Sequence, residues 1–96
     1  MPNAARSVRH VTIKGHVQGV WYRGWTVESA TALGLHGWVR NRPDGTVEAV
    51  FAGASDALDS MIEACRRGPA SARVSDVVVT DIADEGWTDF VQRATL

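Results

Sequence analysis

Apolar and polar positions change period several times along this chain, and each change marks an element. From Val8 to Lys14, Val11 and Ile13 fall on one side of an extended segment and His10 and Thr12 on the other, the pattern of a strand with one buried face. From Tyr22 the period becomes helical: Tyr22, Thr26, Ala30 and Leu33 share one face, and Gly34 supplies a left-handed terminator. The helix therefore begins near Arg23. His36 to Arg42 and Thr46 to Gly53 read as strands joined by Pro43-Asp44-Gly45, residues suited to a tight reversal, so they predict a hairpin. Ser55 or Asp56 is placed to cap a second helix, in which Leu58, Met61, Ile62 and Cys65 form an apolar stripe that Gly68-Pro69 ends. Val74 to Ile82, with Val77-Val78-Val79 inside it, predicts a strand, and Phe90 to Thr95 a weaker one after the loop Ala83 to Asp89. Residues 1 to 7 have no period and predict a loose terminus.

The order is β-α-β-β-α-β with an optional last strand. Ninety-six residues leave room for one core, so one domain over 1–96 is expected. Two helices alternating with strands on so short a chain favour an α+β, two-layer sandwich of the ferredoxin-like type, with both helices on one face of a mainly antiparallel sheet. The opposite face is then left to solvent or to a partner.

Charge narrows the function. Lys+Arg at 10 against Asp+Glu at 11 gives a formal net charge of −1, which argues against a nucleic-acid surface, so any anion site must be local. The single cysteine, Cys65, excludes an intrachain disulfide, and its helical stripe places it in the core. His10, His16 and His36 lack metal-ligand spacing, so no metal is expected. The first fourteen residues hold no apolar run of signal-peptide length, and no run of about 18 apolar residues occurs anywhere. A soluble, cytoplasmic protein without a membrane partner is the expectation.

The candidate chemistry lies between the first strand and the first helix, in Gly15-His16-Val17-Gln18-Gly19-Val20-Trp21-Tyr22-Arg23. Gly15 and Gly19 allow positive φ at little cost, so successive amides can converge on a point and form a concavity for an anion. The helix end that follows adds free N–H groups and partial positive charge. Arg23, in its first turn, is mildly disfavoured by the helix dipole, and a bound anion would account for its presence. Its planar fork can grip two phosphate oxygens at once. Taken alone, the same residues fit a tight strand-to-helix loop with a solvated arginine equally well. Trp21 and Trp38, adjoining the two motif blocks, are the candidate pocket-lining aromatics.

This string resembles the signature of the acylphosphatase family, Gly-x-Val-Gln-Gly-Val-x-Phe/Tyr-Arg. A second block, Gly37-Trp38-Val39-Arg40-Asn41 followed by Gly45, Val47 and Gly53, resembles that family's other signature at the matching spacing. The resemblance spans roughly residues 8 to 82 and implies a ferredoxin-like fold and hydrolysis of acyl phosphates to a carboxylate and inorganic phosphate. It implies that residues 15–22 cradle the phosphate, that Arg23 binds it, and that Asn41 positions the attacking water. It further implies no metal or cofactor, and a substrate phosphate oxygen as proton acceptor. Inorganic phosphate is then product and inhibitor, and a monomer is expected. The family commonly ends in a Phe-x-Ile-Arg type strand, whereas here Gln92 occupies the apolar position in Phe90-Val91-Gln92-Arg93. That departure puts the packing of the last strand in question.

The residues are compatible with that chemistry. A carboxylate leaving group needs little protonation, so the tasks are to hold the phosphoryl oxygens and align water in line with the leaving group. Asn41 shares the parity of Gly37 and Val39 and so faces the helices. Read by itself, Asn41 also fits a polar strand end beside the Pro-Asp-Gly turn. Two other functions fit the element order. An RNA-recognition domain is disfavoured because its Lys/Arg-Gly-Phe/Tyr-Gly/Ala-Phe pattern is absent from Thr46 to Gly53. A non-catalytic acyl- or carbamoyl-phosphate-binding module of the same fold is the nearer alternative.

Overall fold

A computed structural model describes residues 6–95. The period-two segments form the strands β1 (Ser7–His16), β2 (His36–Asn41), β3 (Val47–Gly53), β4 (Arg73–Asp81) and β5 (Phe90–Gln92), and the helical stripes form α1 (Tyr22–Ala32) and α2 (Ser55–Arg67). The five-stranded sheet has the order β4-β1-β3-β2-β5. β1 lies antiparallel to both β3 and β4, β2 and β3 form the antiparallel hairpin, and β5 runs parallel to β2. This is the two-layer, ferredoxin-like α+β architecture, with a parallel pair at one edge.

Strand parity sets the layers. Val11 and Ile13 of β1, Val39 of β2, and Val47, Ala49 and Phe51 of β3 point to one side and bury against Tyr22 and Ala30 of α1 and Leu58, Met61 and Cys65 of α2. Phe90 stacks on Phe51 with ring centroids 5.4 Å apart, which draws β5 onto the same core. Gly34 has φ 72 and turns the chain after α1 as its position predicts. Thr46 donates from its backbone N (3.0 Å) and its Oγ1 (2.7 Å) to Asp44 Oδ1, closing the β2–β3 turn.

The opposite face of the sheet is not simply bare. Val8, Trp38, Val50 and Ala52 form a second, smaller cluster there, and Trp87 from the loop before β5 packs against it. Trp38 therefore does not line the pocket near the first motif. It alternates with Val39, so burying Val39 among the helices sends Trp38 through the sheet. There the guanidinium groups of Arg40 and Arg93 pack over its ring, each 4.7 Å from the ring centroid. Glu48 shares this face, with Arg40 Nε at 2.7 Å, Arg42 at 3.1 Å and His10 Nε2 at 2.6 Å.

Strand ends shift by one or two residues from the sequence reading, and three differences matter more. Of the terminus expected to be loose, residues 1–5 lie outside the described residues. Ser7, however, opens β1 opposite Gly53, and Arg6 Nε donates to Asp84 Oδ2 at 2.6 Å. Neither Ser55 nor Asp56 is the cap of α2: Ala54 holds that place with no side-chain bond, and Asp56 Oδ1 accepts from the Ala57 N–H inside the first turn. β5 stops at Gln92 rather than Thr95, although Arg93 N still donates to the Val39 carbonyl at 2.8 Å. Among the described residues no helix is long and apolar enough to cross a membrane.

Candidate functional site

The site forms where β1 hands the chain to α1. The β1–β4 register shifts between Lys14 and Gly15, after which Gly15 pairs with Val74 and His16 with Arg73. Gly15 has φ 124, and a Cβ there would lie 2.1 Å from the Arg73 carbonyl oxygen, so only glycine fits. Gly15 and His16 thus belong to the ladder, and the crossing loop proper begins at Val17. Val17 sinks its side chain into the core at 1 % exposure and anchors the loop. Gly19 then takes φ 74, and Trp21, at φ 65, is the non-glycine residue with positive φ among those described. A left-handed conformation costs an L-residue about 1–2 kcal/mol, so the turn into α1 is held against local preference.

The start of α1 is left electrostatically open. Trp21 caps it with no side-chain hydrogen bond, and its first turn contains no acidic residue. The first N–H groups of a helix have no partner within it and carry partial positive charge. Arg23 stands at this same point, so positive charge gathers where other helices place a carboxylate.

The hairpin supplies the facing wall. Gln18 Nε2 donates to the carbonyls of Arg42 (2.8 Å) and Thr46 (2.9 Å), tying the loop to the end of the β2–β3 hairpin. Asn41 is the last residue of β2 and faces the helices, as its parity predicts. Its Oδ1 is buried and has no hydrogen-bond partner among the described residues. A buried acceptor left unsatisfied costs about 1–3 kcal/mol, so this atom has the capacity to accept from a bound molecule.

Val17, Gly19, Trp21, Tyr22, Arg23, Gly24, Asn41 and Gln92 line one cleft of about 150 Å³. Pockets for drug-sized ligands run to roughly 300–1,000 Å³, so this one suits a phosphoryl-sized group with the rest of its carrier outside. The structure thus brings Arg23 and Asn41, from motifs far apart in sequence, onto one cleft with part of the loop. Gly15, His16, Gln18 and Val20 do not line it. Val20 packs partly buried against the core.

Tyr22 lines the cleft, but its side chain is buried. Its hydroxyl donates to the Cys65 carbonyl at 2.6 Å, and burial drives its acidity far below that of a free phenol. It therefore serves as a strut between α1 and α2 rather than as an acid. Burial likewise pushes the Cys65 thiol up to about 12, which suits core packing and not nucleophilic chemistry.

Two lining residues, Gly24 and Gln92, escaped the sequence reading. Gln92 shares the parity of Phe90, but its nearness to Asn41 follows from β5 running parallel to β2, with Gln92 opposite Val39. The polar residue at an apolar position was the available signal, and it marks a cleft wall.

The chain is also similar to known proteins. The acylphosphatase family profile matches residues 9–92. An acylphosphatase of Rhodospirillum rubrum is 59% identical over 86 residues, covering 90% of this chain and 94% of that protein. One of Rhizorhabdus wittichii is 50% identical, covering 95% and 92%. Among solved structures, an acylphosphatase from Coxiella burnetii superposes with a TM-score of 0.90 at 38% identity, covering 93% of this chain and 94% of that one. The chain belongs to the acylphosphatase family, hydrolases that act on acyl phosphates.

Proposed function

We propose that this chain hydrolyses acyl phosphates by holding the phosphoryl group between the 17–22 loop, the open start of α1 and Arg23, while Asn41 directs the attacking water. The observation that carries this reading is the buried, unpartnered Oδ1 of Asn41 on the same cleft as Arg23.

In the reaction, the oxygen of water forms a bond to phosphorus as the bond from phosphorus to the acyl oxygen breaks. The electron pair leaves with the carboxylate. Water donates one hydrogen to Asn41 Oδ1, which holds its lone pair toward phosphorus, and a phosphoryl oxygen takes the proton that the attack releases. A neutral amide cannot remove that proton itself. The loop amides and the Arg23 fork stabilise charge on the phosphoryl oxygens as the bond loosens. Stabilising the product in the same cradle makes inorganic phosphate an inhibitor. Arg23, Asn41 and the loop line one cleft of a single chain, which supports action as a monomer, and the lone buried cysteine suits the cytoplasm.

The test is phosphate release from an acyl phosphate in the presence of chelator. Arg23→Ala should lose turnover and phosphate inhibition together, and Arg23→Lys should remain severely impaired because a point charge does not replace the fork. Asn41→Ala should keep phosphate inhibition while turnover falls about 10²-fold or more, as when one positioned hydrogen-bonding group is removed. Near-normal phosphate affinity in Arg23→Ala would refute the clamp. Phosphate binding with no turnover in the unaltered protein would favour the binding-module alternative.

A further inference from the structure

We infer that Trp21 forms a platform at the mouth of the cleft for planar acyl groups, so that aromatic acyl phosphates are preferred over small aliphatic ones. This rests on the acyl phosphate reading above and names the half of the substrate that reading leaves open.

Trp21 is 59% exposed, more than any other large apolar residue described. Tryptophan is ordinarily well covered, and here it also occupies a left-handed backbone position that glycine would take without strain. Neither core packing nor backbone preference explains a tryptophan at this point.

Its side chain is nevertheless seated. A Cβ on Gly24 would lie 2.1 Å from the indole Nε1 and 2.7 Å from Cδ1, so the ring rests directly on the bare backbone of the first turn of α1. Glycine weakens a helix relative to alanine, and the room it leaves for the indole is what this glycine provides. Residues 21 and 24 are three apart, which places them on one side of that turn.

The cleft then determines what the indole meets. Val17 and Tyr22, the other apolar residues lining it, are each only 1 % exposed, while Arg23, Asn41 and Gln92 are polar. With the phosphoryl group held within a cleft of about 150 Å³, the acyl group must extend through the mouth, and Trp21 is the apolar surface there. An indole face attracts a flat π-system beyond the effect of area alone.

The experiment compares kcat/KM for benzoyl phosphate with that for acetyl phosphate, because the ratio cancels any change in the phosphoryl grip the two compounds share. Relative to the unaltered protein, Trp21→Gly, which suits the left-handed backbone, should lower the benzoyl-to-acetyl ratio about tenfold, and Trp21→Phe should retain most of it. Gly24→Ala, which keeps the indole but displaces it from its seat on a better helix former, should shift the ratio in the same direction. An unchanged ratio in Trp21→Gly, or in Gly24→Ala should the first variant not fold, overturns the platform and leaves the hydrolase reading intact. Failure of the unaltered protein to hydrolyse either compound overturns both.

Discussion

Gln18 is the side chain through which the two halves of the site hold their spacing, and Gln18→Met isolates that role. Methionine keeps the length and volume of glutamine while removing the amide that donates at 2.8 and 2.9 Å to the Arg42 and Thr46 carbonyls. Both carbonyls keep a second partner, since Gly45 N donates to Arg42 and Arg42 N to Thr46. The loss is therefore that of ordinary net hydrogen bonds, about 1–2 kcal/mol in all, without an added penalty for orphaned acceptors. For a domain of this size that lowers Tm by about 5–15 °C. The catalytic effect should be larger in proportion. On the proposed mechanism, Arg23, the loop and the start of α1 should shift together while Asn41 stays with the hairpin, so the water should lose its line to phosphorus while the phosphate cradle persists. A displacement of about 1 Å costs on the order of 10²-fold in rate. Steady-state kinetics should accordingly show kcat reduced about 10- to 100-fold, with the inhibition constant of inorganic phosphate raised less than about fivefold. A kcat within about twofold of the parent, at the reduced Tm, would refute the spacing argument. A collapse of phosphate affinity matching the loss of turnover would show that the loop itself had failed.

Two further outcomes concern the scaffold. Burial alone would raise the Glu48 carboxyl, but the hydrogen bonds from His10, Arg40 and Arg42 outweigh it and hold the group down at about 2, against 4.5 ordinarily. That depression is a stabilisation of about 3 kcal/mol, present above pH about 4.5 and lost as pH falls toward about 2. The stability gap between the parent and Glu48→Gln, followed by urea unfolding, should therefore narrow across that window, and a gap constant with pH would exclude this role. Tyr22→Phe deletes the buried bond to the Cys65 carbonyl and should cost about 1–2 kcal/mol with phosphate inhibition preserved, whereas a selective loss of turnover at full stability would make the hydroxyl a participant in the chemistry.

The periods of the chain carried most of the fold. Alternation in β1 and β3 and the stripe in α2 each report which side of one element avoids water, and that information is local. It did not place Trp38: parity sent Val39 to the helices, but only the second cluster on the outer face shows that Trp38 is buried there and not at the pocket. It failed again at the start of α2, where Ala54 holds the cap and Asp56 Oδ1 bonds within the first turn instead.

The site divides in the same way. Gly15, Gly19 and Arg23 could be read as an anion site because a loop followed by a helix start is made by neighbours along the chain, and the parity of Asn41 already assigned it a face. Their meeting was another matter, since β2 reaches the loop only through the strand order β4-β1-β3-β2-β5 and the Gln18 tie across the hairpin. The parallel docking of β5 added Gln92, and the absence of a side chain at Gly24 seated the indole of Trp21. Sequence by itself determined the type and core-facing side of most elements, because those follow from sterics and solvent exposure over a few positions. Only the tertiary structure decided which of those faces share a cleft, because distance between elements depends on how the whole core closes.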